Sequence, residues 1–88
     1  SSKLGLAGRA LTGQEAARLG VPGGVVVEAA SGPAAKAGLQ AGDVIVGINN
    51  QPITGIEQFR KLLDAAGNRF ALLVQRGGNR IFMPVRIS

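Results

Sequence analysis

The chain contains no cysteine and no histidine, and three of its 88 residues are aromatic, all of them phenylalanine. Without cysteine there is no disulfide to staple the fold and no thiolate for catalysis or metal binding. Without histidine there is no Ser-His-Asp triad, no imidazole ligand and no general base of the usual kind near neutral pH. The acidic side chains, Glu15, Glu28, Asp43, Glu57 and Asp64, are scattered singly, so no carboxylate pair is set up for acid–base chemistry. No catalytic residue, metal ligand or cofactor is expected in this segment. Apolar runs extend for only a few residues, far short of the ~20 that a membrane span needs. No signal peptide is read at the start, and residues 1–88 are expected to be a single domain taken from a longer protein.

What is present is an aliphatic chain of globular type. Apolar residues make up 45% and charged residues 17%, which places it away from disordered sequences and assigns the core to Val, Ile, Leu and Ala. The net charge is +5, but the basic residues are spread along the chain and no nucleic-acid motif accompanies them. Nucleic acid is therefore not an expected partner, while acidic peptides and anionic surfaces stay open.

The pattern of periods and turn signals lays out the elements. Leu4 to Leu11 reads as a short strand carrying Gly5 and Gly8. Thr12-Gly13-Gln14-Glu15 has the form of a capping box and opens a short helix that ends near Gly20. Val25 to Ala29 is a β-branched strand. Ser31-Gly32-Pro33 leads a short Ala-rich helix, Ala34 to Ala37, which Gly38 stops. Asp43 to Asn49 is another strand, Asn49-Asn50 is turn chemistry, and Ile53 is read as a strand stub. Thr54-Gly55-Ile56-Glu57 is read as a second capping box opening the longest helix, which runs through Ala66. Phe70 to Arg76 and Arg80 to Ile87 form a hairpin about Gly77-Gly78-Asn79. These elements sum to an α+β domain, a mostly antiparallel, partly open barrel of five to six strands with two to three helices. Asp43 is expected to accept backbone hydrogen bonds as a loop carboxylate. Phe82 is placed on the face opposite Ile81, Met83 and Val85, where packing beneath a neighbouring segment is expected ahead of a docking role.

On a wheel of about 100° per residue, Phe59, Leu62 and Ala66 form a core-facing stripe. Ile56, Arg60 and Leu63 form a second edge beside it. A sheet edge next to such an apolar helix edge makes a groove that accepts an extended peptide as an added strand. In the opening stretch, Gly5 permits consecutive N–H groups to converge as an anion-binding nest, and Gly8 is read as leaving room for an incoming backbone.

Lys3-Leu4-Gly5-Leu6 resembles the "GLGF"-type carboxylate-binding loop of PDZ domains. Gly32 to Ile53, GPAAKAGLQAGDVIVGINNQPI, resembles the family's central signature, in which an Ala-rich helix precedes Leu-x-x-Gly-Asp-x-Ile and an Asn-containing turn. The chain is most similar to PDZ domains of bacterial HtrA/Deg-type periplasmic serine proteases, and more to the second, C-terminal one, as ALLVQRGGNRIFMPVRI (Ala71 to Ile87) suggests.

The resemblance implies a PDZ-like fold and a peptide-binding role. Backbone amides of Leu4, Gly5 and Leu6 would hold a ligand's terminal carboxylate with electrostatic help from Lys3. Leu4, Leu6 and Leu63 would line the pocket for the last ligand residue. Leu6, Ala7, Gly8 and Arg9 would pair antiparallel with the peptide. Ile56 would favour an apolar residue two positions before the end, and Arg60 would reach further upstream. A Leu63→Arg change would block the groove and leave the fold intact.

The implied partners are C-termini of unfolded or misfolded proteins, together with the protease domain and other PDZ domains of the parent. The implied setting is the periplasm, with the serine endopeptidase activity elsewhere in the parent chain. The alternative readings are an assembly role in such a protease, or a PDZ domain of another envelope protein, an intramembrane protease or secretion component. The loop departs from the family pattern in lacking the aromatic residue that often closes it.

Overall fold

A computed structural model describes residues 3–87. Strands form where aliphatic and β-branched residues gather between glycine-containing turns: β1 (Leu6–Ala10), β2 (Val25–Ala30), β3 (Val44–Ile48), β4 (Gln51–Pro52), β5 (Arg69–Arg76) and β6 (Asn79–Arg86). Three helices intervene: α1 (Gly13–Leu19), α2 (Gly32–Ala37) and α3 (Ile56–Ala65). The sheet order is β1-β2-β3-β5-β6, with β4 beside β3, and every strand pair is antiparallel. β1 and β6 do not pair with each other, so the sheet stays open and each forms an edge. This is the expected α+β architecture, with six strands and three helices.

The core is aliphatic, as the scarcity of aromatics requires. Leu4, Val27, Ile45, Ile48, Ile53, Leu63, Leu72 and Val74 are the largest fully buried side chains, and Phe59 and Phe70 pack with them. Each such side chain contributes roughly 1.5–3 kcal/mol by leaving water. Ile53 follows β4 instead of forming a strand stub, and its amide donates to Val46 O at 3.1 Å.

The first capping box forms as read. Glu15 N donates to Thr12 Oγ1 at 3.1 Å, Thr12 N donates to Glu15 Oε1 at 2.9 Å, and Gly20 closes α1 in the left-handed region. The second box does not form: Gly55 is the N-cap of α3 and offers no side chain. Gln58 supplies the missing bridge, accepting from Thr54 N and donating to Pro52 O, both at 2.9 Å. A Gln one turn into the helix takes the Thr54 amide that the box assigned to Glu57, because its longer side chain reaches the preceding loop and its amide bonds there in both directions.

Asp43 is buried, with the residue 3% exposed. It accepts from Gln40 N at 2.9 Å as expected for a loop carboxylate. Its stronger partner is Arg76 at the end of β5, whose Nε and Nη2 donate to Asp43 Oδ1 and Oδ2 at 2.9 and 2.7 Å. Arg76 also donates to Gly38 O at 2.8 Å, so one guanidinium fastens the α2–β3 loop to the sheet. That bidentate contact, opposed by burial, holds the Asp43 carboxyl below its ordinary range. Asn49 and Asn50 both adopt positive φ, 49° and 66°, the backbone of a tight turn in which Asn is tolerated. Asn49 Oδ1 accepts from Ala71 N at 2.9 Å.

Candidate functional site: the cleft between β1 and α3

The first strand begins at Leu6, two residues later than the sequence pattern suggests, because Lys3, Leu4 and Gly5 form a turn. Gly5 has φ +78°, the left-handed region that favours glycine. A Cβ there would lie 2.2 Å from Ser31 O, so the loop's close approach to the start of α2 also demands glycine. The loop's carbonyls are spent on that approach. Leu4 O accepts from Ala34 N at 2.9 Å, and Gly5 O accepts from Ser31 N at 2.8 Å and from Ser31 Oγ at 3.3 Å. The loop thereby satisfies the Ser31 and Ala34 amides at the N-terminus of α2, which gets no side-chain cap from Ser31.

Those bonds fix where the amides point. Across a trans peptide plane the C=O and the next N–H point in opposite directions, and no peptide bond described here is cis. With Leu4 O and Gly5 O directed at α2, the N–H groups of Gly5 and Leu6 are directed to the opposite side. Two successive amides turned the same way are the elements of an anion-binding nest.

Beside this loop lies a cleft of about 120 Å3 between β1 and α3, lined by Leu6, Gly8, Val25, Ile56, Phe59, Arg60 and Leu63. The structure thus brings together Leu6, Gly8, Ile56, Arg60 and Leu63 of the residues singled out from the sequence. Lys3, Leu4, Gly5 and Ala7 do not line it. The Leu4 side chain is fully buried in the core, so the reading of it as a pocket wall is corrected: the loop that aims its backbone outward turns this side chain inward. Ala7 is exposed on the edge strand. Lys3 Nζ donates to Leu63 O at 2.5 Å and stands 5.9 Å from the centre of the Phe70 ring. Its ammonium therefore sits against the carbonyl end of α3, a favoured place for a cation, and bridges the loop to the helix.

Two further expectations change. Gly8 does not make room for an incoming chain, because the position of its absent Cβ lies 2.7 Å from both Val25 Cγ1 and Val26 O. Glycine is needed there by a bulge, where the β1–β2 register shifts between Ala7 and Gly8. On α3, the buried pair is Phe59 and Leu63, spaced i, i+4, while Leu62 and Ala66 are partly buried at the flank. Leu63 is 1% exposed and is a core residue as well as a cleft wall, so a charge at this position would disrupt the fold itself. Phe59 and Val25 were missed as cleft residues. The Ile56-Phe59-Leu63 spacing held the signal for Phe59, and for Val25 it needed the β1–β2 pairing.

Arg9, at the far end of β1, is tied down. Its Nη1 and Nη2 donate to Glu15 Oε1 and Oε2 at 2.8 and 2.9 Å, and this contact, with the Thr12 amide, lowers the Glu15 carboxyl to about 2. β1 pairs with β2 along one edge only, and among the described residues no strand takes its other edge. The described residues contain no cluster of metal-ligating side chains, and no helix long and apolar enough to cross a membrane.

Comparison with known proteins agrees with this geometry. A family model described as "PDZ domain" matches residues 24–76, a span that covers the central signature and α3 but not the Lys3–Gly8 segment. The chain is 43% identical over 75 residues to the periplasmic serine endoprotease DegP of Salmonella typhimurium, covering 83% of this chain and 16% of that protein. It is 35% identical over 91 aligned positions to a probable periplasmic serine endoprotease, DegP-like, of Hahella chejuensis, covering all of this chain and 19% of that protein. The chain thus spans less than a fifth of the length of these relatives. Among solved structures, the HtrA3 PDZ domain bound to a phage-derived ligand, FGRWV, shares the fold with a TM-score of 0.80 at 22% identity, over 97% of this chain and 83% of that one. The HtrA-type protease AlgW with a decapeptide matches with a TM-score of 0.71 at 30% identity, over 97% of this chain and 28% of that one.

Proposed function

Because the chain belongs to the PDZ domain family, we propose that its β1–α3 cleft binds the hydrophobic C-terminus of a protein by β-strand addition. The observation that carries this reading is the anchoring of Leu4 O to the start of α2, which turns the Gly5 amide away from it beside an apolar cleft. A terminal carboxylate is the ligand that such an outward backbone donor on a glycine turn suits. The cleft walls, Leu6, Ile56, Phe59 and Leu63, suit aliphatic or aromatic side chains at the peptide end. Ile56 takes an apolar residue two positions before the end, and Arg60 meets side chains further upstream. Lys3, held against α3, adds positive potential near the carboxylate.

Its relatives are periplasmic serine endoproteases, and AlgW, an HtrA-type protease, was solved with a decapeptide. On that basis the domain serves a parent serine endopeptidase in the periplasm, presenting or sensing the C-termini of unfolded proteins. Peptides ending in Val, Leu or Phe test the proposal. The free acid is expected to bind about ten-fold or more tighter than the C-terminal amide, since hydrogen bonds to a charged group are worth roughly 1.5–3 kcal/mol. Equal affinity of acid and amide would remove the carboxylate nest from the account.

A further inference from the structure

A concave surface larger than the β1–α3 cleft lies away from it, on the outer face of the β5–β6 hairpin. Alternation sends Phe70, Leu72 and Val74 of β5 and Met83 and Val85 of β6 into the core, which leaves the intervening residues on the opposite face. The register pairs these outer residues as Gln75 with Arg80, Leu73 with Phe82, Ala71 with Pro84, and Arg69 with Arg86. Phe82 does not pack beneath a neighbouring segment as its sequence suggested: it is 63% exposed and is the exposed large hydrophobic residue of the described chain. It borders a cleft of about 330 Å3, whose apolar lining includes Val21, Pro22, Val46, Pro52 and Leu73.

Arginines frame this apolar strip. Arg80 stands on the rim of the cleft, held by Nε donating to Gln75 Oε1 at 2.8 Å and Nη2 donating to Leu19 O at 3.4 Å. Arg69 and Arg86 face each other at the other end, where like charges directly opposed across a ladder oppose pairing. Both line a second, shallower hollow that shares Ala71 with the first. Among the described residues the salt bridges join Arg9 to Glu15, Arg60 to Glu57 and Arg76 to Asp43; none reaches Arg69, Arg80 or Arg86, and no acidic residue lies on this face.

We infer that the outer β5–β6 face docks a segment of another polypeptide that carries carboxylates around bulky apolar side chains, independently of the β1–α3 cleft. The apolar group fills the Phe82 cleft, and the carboxylates meet Arg80 at one end and the Arg69–Arg86 pair at the other, relieving a repulsion that the free sheet bears. A second copy of this chain does not fit. Three of its five acids are already paired, the other two, Glu28 and Asp64, lie on separate elements, and a net charge of +5 opposes self-association. A bilayer does not fit either, since the apolar feature is a concave cleft with a single exposed aromatic at its edge and not a convex hydrophobic face.

The test titrates the isotope-labelled chain with acetyl-Glu-Asp-Leu-Phe-Asp-Glu-amide, whose blocked ends deny it the carboxylate nest. Amide shifts are expected at Leu73, Arg80, Phe82 and Arg86. Phe82→Ser, or replacement of Leu-Phe by Ser-Ser in the peptide, is expected to weaken binding about ten-fold. Arg69→Gln with Arg86→Gln is expected to weaken it about five-fold and flatten its salt dependence. C-terminal peptide binding at the β1–α3 cleft is expected to be unchanged in Phe82→Ser, so failure of one site is distinguishable from failure of the other. The inference is overturned by shifts confined to β1 and α3, by equal binding of the Ser-Ser peptide, by no binding at millimolar peptide, or by oligothymidylate or phosphatidylglycerol vesicles competing at Phe82 more tightly than the peptide.

Discussion

The β1–α3 cleft is walled by side chains that also make the core, whereas the outer face of the β5–β6 hairpin is made of side chains that the core does not need. Leu6, Val25, Phe59 and Leu63 belong to the buried cluster and line the cleft at once. Phe82, Pro84, Arg69 and Arg86 are exposed. The cleft's polar chemistry comes from backbone held in place by α2; that of the outer face comes from guanidinium groups without acidic partners. A site cut into a core is rigid and preorganised, and its residues cannot be changed without cost to stability. A site laid on a sheet surface is free to vary.

Substitutions that separate binding from stability sharpen this contrast. The largest effect belongs to Leu63. Leu63→Ala is expected to cost about 2–5 kcal/mol in denaturant unfolding, and Leu63→Arg to abolish cooperative folding. A Leu63→Arg protein that stays folded and merely loses peptide would break the claim that cleft and core are one. Next is the clamp outside both sites. Arg76→Met leaves the buried Asp43 carboxylate with the Gln40 amide alone and is expected to cost about 2–3 kcal/mol, read as a lower denaturant midpoint with peptide affinity unchanged.

The pH dependence of stability follows from the same acids. Asp43 and Glu15 both have depressed carboxyl values when folded, so their contribution is present above the ordinary carboxylate range and is lost as pH falls through the folded values. For Glu15 that window runs from about 4.5 down to about 2. Glu15→Gln is expected to flatten the acid limb of a stability-versus-pH curve, and an unaltered limb would show that the Arg9 contact adds nothing. The smallest effect is at the outer face, where Phe82→Ser is expected to change stability by no more than about 0.5 kcal/mol. A larger loss would show that this face is part of the core after all.

How far the sequence could be read differed between the two faces in the same way. Capping at Thr12 and Glu15, the glycine stop at Gly20 and the hairpin at Gly77-Gly78 were legible because each is written within a few residues. The α3 cap was misassigned, since Thr54 and Glu57 match the capping pattern while Gln58, one turn in, makes the bonds. The roles of Leu4 and Gly8 depended on contacts with Ala34, Val25 and Val26, more than 15 positions away, which no local pattern encodes. Arg76 as the partner of Asp43 lies 33 residues along the chain. Phe82 illustrates the converse: alternation placed it on the outer face, but whether another segment covers that face is a property of topology.

The proposed peptide site places the C-terminal carboxylate on the Gly5 amide. Its amide proton resonance can be followed while a Val-terminated peptide is added, first as the free acid and then as the amide. A large downfield shift is expected at Gly5 with the acid, sharply reduced with the amide, alongside changes at Ile56 and Leu63 of α3. Binding of the acid that leaves Gly5 unmoved would rule out the carboxylate nest.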